Sequence, residues 1–147
     1  MIRLMKHVAK LVMIDPDNNY LLMYRSKHPI FGMDADLPGG TVETGEALLE
    51  AVLREVQEEV GVYVTANSVH KVYSGTDYSV YGTHYSLFIS SLNARPEIKI
   101  SWEHSSFEWL CLNDFLFKAK NAKDTYMHMV YDILNKNINT PNQQSAT

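Results

Sequence analysis

The chain has 147 residues, 46% of them hydrophobic, with 13 basic against 17 acidic side chains for a formal charge of −4. That length suits one domain with its own core, and the ordinary balance of apolar and charged residues excludes a disordered chain. The single cysteine, Cys111, excludes an intramolecular disulfide scaffold and a thiolate-rich zinc site, and fits a reducing cytoplasm.

In chain order, Met1 to Ile14 has the faint look of a leader peptide, but Lys10 interrupts its apolar run and no small-residue cleavage site follows. Val8–Ile14 is therefore expected to be a strand. Pro16-Asp17-Asn18-Asn19 signals a turn, and Tyr20–Arg25 the returning strand of a hairpin. Ser26–Asp36 reads as a loop, closed by an abrupt bend at Leu37-Pro38-Gly39-Gly40. A long helix is predicted over Glu46–Val60, with Thr44 as its N-cap and Gly61 past its end. Strands follow at Val62–Val64, Val69–Ser74, Thr83–Leu92 and Phe107–Leu110. Asn113 is placed to cap a short helix through Lys118. A last helix is expected over Asp124–Asn135, with Met127, Val130, Tyr131 and Leu134 as its packing stripe. This pattern predicts one α+β domain over residues 1–136, a mixed sheet sandwiched between helices, followed by a polar tail at 137–147. No apolar run reaches the roughly 18–20 residues that span a bilayer.

The negative charge is concentrated. Between Glu43 and Glu59 lie six glutamates and one arginine, a local charge of −5. Such a block repels nucleic-acid phosphate and attracts divalent cations. No basic stripe marks a nucleic-acid face. On a helix, Leu49, Val52, Leu53, Val56 and Val60 share one face, while Glu55, Glu58 and Glu59, spaced i, i+3, i+4, converge on another. Like charges this close destabilise a helix slightly unless a cation binds between them, and Mg²⁺ suits an all-oxygen set. A solvated acidic face is the ordinary alternative.

The wider spacing decides between them. From Gly40 the chain runs five residues to Glu46, seven more to Arg54-Glu55-Val56-Gln57-Glu58-Glu59, and closes with Val60-Gly61-Val62. This resembles the Nudix box, G-x5-E-x7-R-E-U-x-E-E-x-G-U, at every fixed position. The chance odds are on the order of 10⁻⁸ at average residue usage. Asp36-Leu37-Pro38-Gly39-Gly40, the strand Leu21–Ser26, and Glu108-Trp109-Leu110 ahead of Leu112-Asn113-Asp114 also resemble the family. The resemblance covers roughly residues 5 to 135. Ala35 departs from it, since many members carry Trp there.

The resemblance implies a Nudix (MutT-like) fold and hydrolysis of a nucleoside diphosphate linked to another moiety, with Mg²⁺ or Mn²⁺ as cofactor. It implies Glu55, Glu58, Glu59 and the Gly39 carbonyl as metal ligands. Arg54 would hold Glu46, with Glu50 at i−4 as a second partner, and so orient the metal carboxylates. The general base is either a box glutamate such as Glu55 or Glu58, or Glu103 from the later loop, with Glu108 as its rival; His104 could donate to phosphate. Arg25, Lys27 and His28 are candidate phosphate contacts, and either is also consistent with an ordinary solvated loop. Tyr73, Tyr78, Tyr81 and Tyr85 are dense enough that one or two could stack on a base.

The proline that marks ADP-ribose members is replaced by Asp77, and Tyr78 resembles the mark of dinucleoside polyphosphate members. Nucleoside triphosphates or dinucleoside polyphosphates are therefore the favoured substrates, ahead of ADP-ribose or nucleotide sugars. The partner is a small-molecule nucleotide, without membrane or stable nucleic-acid binding, and the chain is a monomer or homodimer. Two rivals stand beside this: a non-catalytic nucleotide-binding regulatory module, and the isomerase branch of the fold, for which Cys111 would have to act in a pocket. Cys111, between Leu110 and Leu112, is expected to be a small buried hydrophobe instead.

Overall fold

The computed structural model describes residues 5–138, with the side chains of 137 and 138 left aside. Seven strands form one mixed sheet: β1 (His7–Ile14), β2 (Tyr20–Arg25), β3 (Ala35–Asp36), β4 (Gly39–Thr41), β5 (Val69–Gly75), β6 (His84–Ser91) and β7 (His104–Leu110). Three helices pack on it: α1 (Leu48–Val60), α2 (Leu112–Lys120) and α3 (Thr125–Ile138). Strand β1 is central. It runs parallel to β6 from His7↔His84 to Ile14↔Ser91, and antiparallel to β4 over Val8–Lys10. At Ile14↔Tyr20 it turns into β2, which carries β3 and β7.

Ala9–Ile14 are buried without a break, because the sheet is covered on both faces. Ala9, Leu11 and Met13 join Leu21, Met23, Val52, Val56, Val60 and Phe88 on the α1 side. Val12 and Ile14 join Leu22, Leu87, Phe115, Met127 and Val130 on the side of α2 and α3. The expected α+β sandwich is therefore observed. Among the described residues no helix is long and apolar enough to cross a membrane.

Several boundaries move, each for a local reason. α1 begins at Leu48 after the N-cap Ala47, not after Thr44. Glu46 is held before the helix in a turn, where Gly45 has φ +82° and Glu46 N–H donates to the Glu43 carbonyl at 3.0 Å. Val62–Val64 is not a strand; Val62 and Val64 pack against the α1-side core without joining a ladder. The expected loop 26–36 ends in β3, and the Gly39–Gly40 bend is part of β4. β7 starts three residues before Phe107, because His104 to Ser106 pair with Arg25 and Tyr24. The N-cap of α2 is Cys111, not Asn113, and at this strand-to-helix corner Cys111 is exposed, not buried. α3 runs on to Ile138, two residues into the expected tail, whose remainder, 139–147, lies outside the described residues.

Candidate active site

The site is built where β4 pairs with β1. Leu11 N–H donates to the Pro38 carbonyl at 2.9 Å, pinning the Pro-Gly-Gly bend to the central strand. Gly39 has φ +146°, and a Cβ there would sit 2.4 Å from the Ala9 carbonyl oxygen. Only glycine fits this close strand pairing. A Cβ on Gly40 would lie 2.8 Å from the Glu55 carboxyl carbon. Two adjacent positions without side chains thus leave backbone and carboxylates facing each other.

Helix α1 supplies the acids. Glu59 is 5% exposed, and its Oε2 accepts the Gly39 N–H at 3.1 Å. Burial, joined by the charges of Asp36 and Glu103, raises its pKa to about 8, against the opposing pull of Lys10 and the Gly39 N–H. Burial also raises the pKa of Glu55, with Glu58 and Glu103 adding to it and Arg54 opposing. Arg54 grips Glu46 with two bonds, at 2.7 and 3.0 Å, and Glu55 with one at 2.9 Å. The Arg54 bonds hold Glu46 near pKa 2. Glu58 also reaches Arg54, at 3.3 Å, but its side chain is 58% exposed and it does not line the cleft. The helical wheel places the three glutamates together; packing on the sheet separates them into a buried, an intermediate and an exposed acid.

Glu103 comes from far along the chain. Lys99 and Ser101 N–H groups donate to the Val60 and Glu59 carbonyls at the end of α1, at 2.9 and 3.1 Å. Ser26 N–H donates to the Glu103 carbonyl at 2.8 Å. These bonds carry Glu103 to the wall of the same cleft as Glu55 and Glu59. Its rival Glu108 lies on β7 and accepts the Tyr24 hydroxyl instead.

A buried charge network stands behind the acids. Lys10 Nζ contacts Asp36 Oδ1 at 2.5 Å, and His104 Nε2 contacts Asp36 Oδ2 at 2.9 Å. Burial works against the Asp36 charge, but Lys10, His104 and Arg25 outweigh it and hold the carboxyl below the usual range. Arg25 also donates to Asp124 at 2.8 Å. Sequence reasoning did not assign Lys10 or Asp36 to the site. The signal was present, since Lys10 shares the alternation of Val12 and Ile14 and so had to be buried and paired.

The main cleft has a volume of about 600 Å³ and brings together Gly39, Glu55, Glu59, Glu103, Arg25 and His28 from the sequence-based set. Tyr81, Tyr85 and Tyr126 line it too. Tyr126, fully buried, donates to the Ser86 carbonyl at 2.6 Å. Lys27 lines an adjoining cavity. Tyr78 is not at the cleft: its hydroxyl donates to Asp132 on α3 at 3.0 Å, and burial with that acid raises its pKa to about 12. His28 Nδ1 accepts the N–H groups of Ile30 and Phe31, at 3.0 and 3.1 Å, and so shapes its own turn.

Among the described residues, no three acidic, cysteine or imidazole side chains are already gathered as a metal cage. Glu55 is turned to Arg54 and Glu59 to the Gly39 N–H. The site nevertheless fits a small hard cation. Its donors are all oxygen, its acids resist joint ionisation, and the space a Gly40 Cβ would fill is left open beside Glu55. Mg²⁺ keeps several waters and takes one or two carboxylates plus substrate phosphate, so a complete protein cage is not required.

The NUDIX domain family matches residues 5–130 of the chain. An ADP-ribose pyrophosphatase of Methanocaldococcus jannaschii is 46% identical over 77 residues, 51% of this chain and 45% of that one. An 8-oxo-dGTP diphosphatase of Proteus vulgaris is 39% identical over 59 residues, 40% of this chain and 53% of that one. The matches thus span about half the length of these relatives. A solved MutT protein from Methanosarcina mazei Go1 superposes with a TM-score of 0.72 at 20% identity, covering 94% of this chain and 98% of that one.

Proposed function

The chain belongs to the Nudix family, and from that premise we propose that it is a metal-dependent pyrophosphohydrolase of nucleoside diphosphate derivatives, with nucleoside triphosphates or dinucleoside polyphosphates preferred. The observation that carries this is the meeting of Glu55, Glu59 and Glu103 beside the Gly39–Gly40 strand in one cleft. When bound, Mg²⁺ or Mn²⁺ would neutralise phosphate charge and make its water more acidic. Glu55, Glu59 and the Gly39 carbonyl would hold it, and Glu58, exposed outside the cleft, would join them only by turning away from Arg54. Arg54, fixed by Glu46, keeps Glu55 in place and limits its freedom to swing away. Glu103 takes the proton of the attacking water, because it stands at the cleft wall free of the Arg54 clamp. Arg25 and Lys27 face the phosphate chain, and Tyr81 and Tyr85 offer rings to a base. The single cysteine suits a cytoplasmic location.

The test is a Mg²⁺-dependent screen of ATP, dATP, dGTP, diadenosine tetraphosphate and ADP-ribose in ¹⁸O-water. Label in a phosphate product and loss of turnover in EDTA are expected, with no free base released. Absence of cleavage of every anhydride would favour the non-catalytic nucleotide-binding module. The 46% identical relative supports a second reading, in which ADP-ribose is the substrate. Far faster cleavage of ADP-ribose than of any triphosphate or dinucleotide would establish it. The isomerase branch has no support at Cys111, which is exposed at the start of α2 and lines neither cavity of the site.

A further inference from the structure

Beside the cleft lies a second cavity of about 320 Å³, at the lower end of the range for small-molecule sites, about 300–1,000 Å³. Arg25, His28, Asp36 and Glu103 line both, so the two spaces meet at the acidic centre. The second is also lined by Trp102, which does not line the first and whose 85% exposure is unusual for so large a ring. The backbone at Trp102 is held in place. Ser26 Oγ donates to its carbonyl at 2.8 Å, and the Ser26 N–H holds the neighbouring Glu103 carbonyl. Lys27 adds a cation to the lining. His104, with its side chain 2% exposed, also lines the cavity, and its Nδ1 has no partner among the described residues.

An exposed indole on a held backbone, lining one cavity with a lysine, suits a planar base joined to phosphate. We propose that this cavity receives the far end of the substrate, a second nucleobase stacked on Trp102, while the first nucleoside occupies the tyrosine-lined cleft and the phosphate chain crosses Glu103. The inference rests on the hydrolase reading for its reaction but not for its binding. It selects dinucleoside polyphosphates over nucleoside triphosphates, because only the former have a base for each end. A ribose phosphate end, as in ADP-ribose, gains no stacking there.

Two measurements test it. With Trp109→Phe, Trp102 is the only tryptophan of the chain's two. Its fluorescence, read within the first turnover in Mg²⁺, is quenched by diadenosine tetraphosphate and not by ATP or ADP-ribose. Trp102→Ala lowers the ratio of kcat/KM for diadenosine tetraphosphate to that for ATP about tenfold, the scale of one lost base stack, acting through KM; Trp102→Phe restores most of it. Equal quenching by ATP, no quenching by the dinucleotide, or an unchanged ratio would overturn the subsite. If no anhydride is cleaved, the hydrolase reading falls and the quenching alone decides the subsite.

Discussion

Glu59 is the carboxyl group whose ionisation the cleft resists through burial. Its folded pKa of about 8 stands above the usual 4.5, so the folded protein holds a proton that the unfolded chain releases. Between those values, rising pH therefore removes stability. In EDTA, the Tm of the wild type should fall across this window more than that of Glu59→Gln, and saturating Mg²⁺ should recover the wild type alone. Parallel slopes for the two proteins would show that Glu59 is not the group responsible. In Mg²⁺, Glu59→Gln should nearly abolish turnover while remaining folded. Glu103→Gln should lower turnover by about 10²-fold or more, the scale of a lost general base; a drop below about threefold on that scale would return the role to Glu55 or Glu58. At this scale the box glutamates were legible because helical spacing is local. The unequal depths of Glu58 and Glu59 were not, because a wheel drawn for one helix omits the sheet that covers Glu59.

Two adjacent glycines in β4 separate stability from activity. Gly39→Ala places a Cβ against the β1 backbone at a left-handed φ, so it should cost more than about 2 kcal/mol in urea unfolding. Gly40→Ala presses on the Glu55 carboxyl, which Arg54 holds, rather than on backbone. It should lower the urea midpoint less than Gly39→Ala does and raise the Mg²⁺ concentration needed for half-maximal activity. Equal effects of the two substitutions on stability would contradict this division. The elements themselves were legible wherever periodicity or β-branched runs extend over several residues, as in β1, β2, α1 and α3. The three-residue β4 and two-residue β3 were not, because partners distant in sequence create them. The start of α1 was missed for another reason: Thr44 had the chemistry of a cap, but the turn at Gly45 holds the chain out of the helix until Leu48.

The molecule as a whole joins β1, β3 and β7 through one buried anion. Lys10, Asp36 and His104 come from these three strands. Lys10→Met should destabilise the protein by about 3–5 kcal/mol, as expected when one partner of a buried pair is removed. Lys10→Met with Asp36→Leu should recover much of that loss, and additive losses in urea unfolding would show that the two side chains do not act as a pair. The parallel pairing of β1 with β6 has a different consequence, one of time. Every partner in it is 77 residues away along the chain, from His7↔His84 to Ile14↔Ser91. Closing so large a loop before any contact rewards it slows folding. Glu55 and Glu103 are themselves 48 residues apart, so the acidic centre should form only once distant segments have met. Mg²⁺ should accordingly slow unfolding in stopped-flow experiments and leave the refolding limb of the chevron where it was.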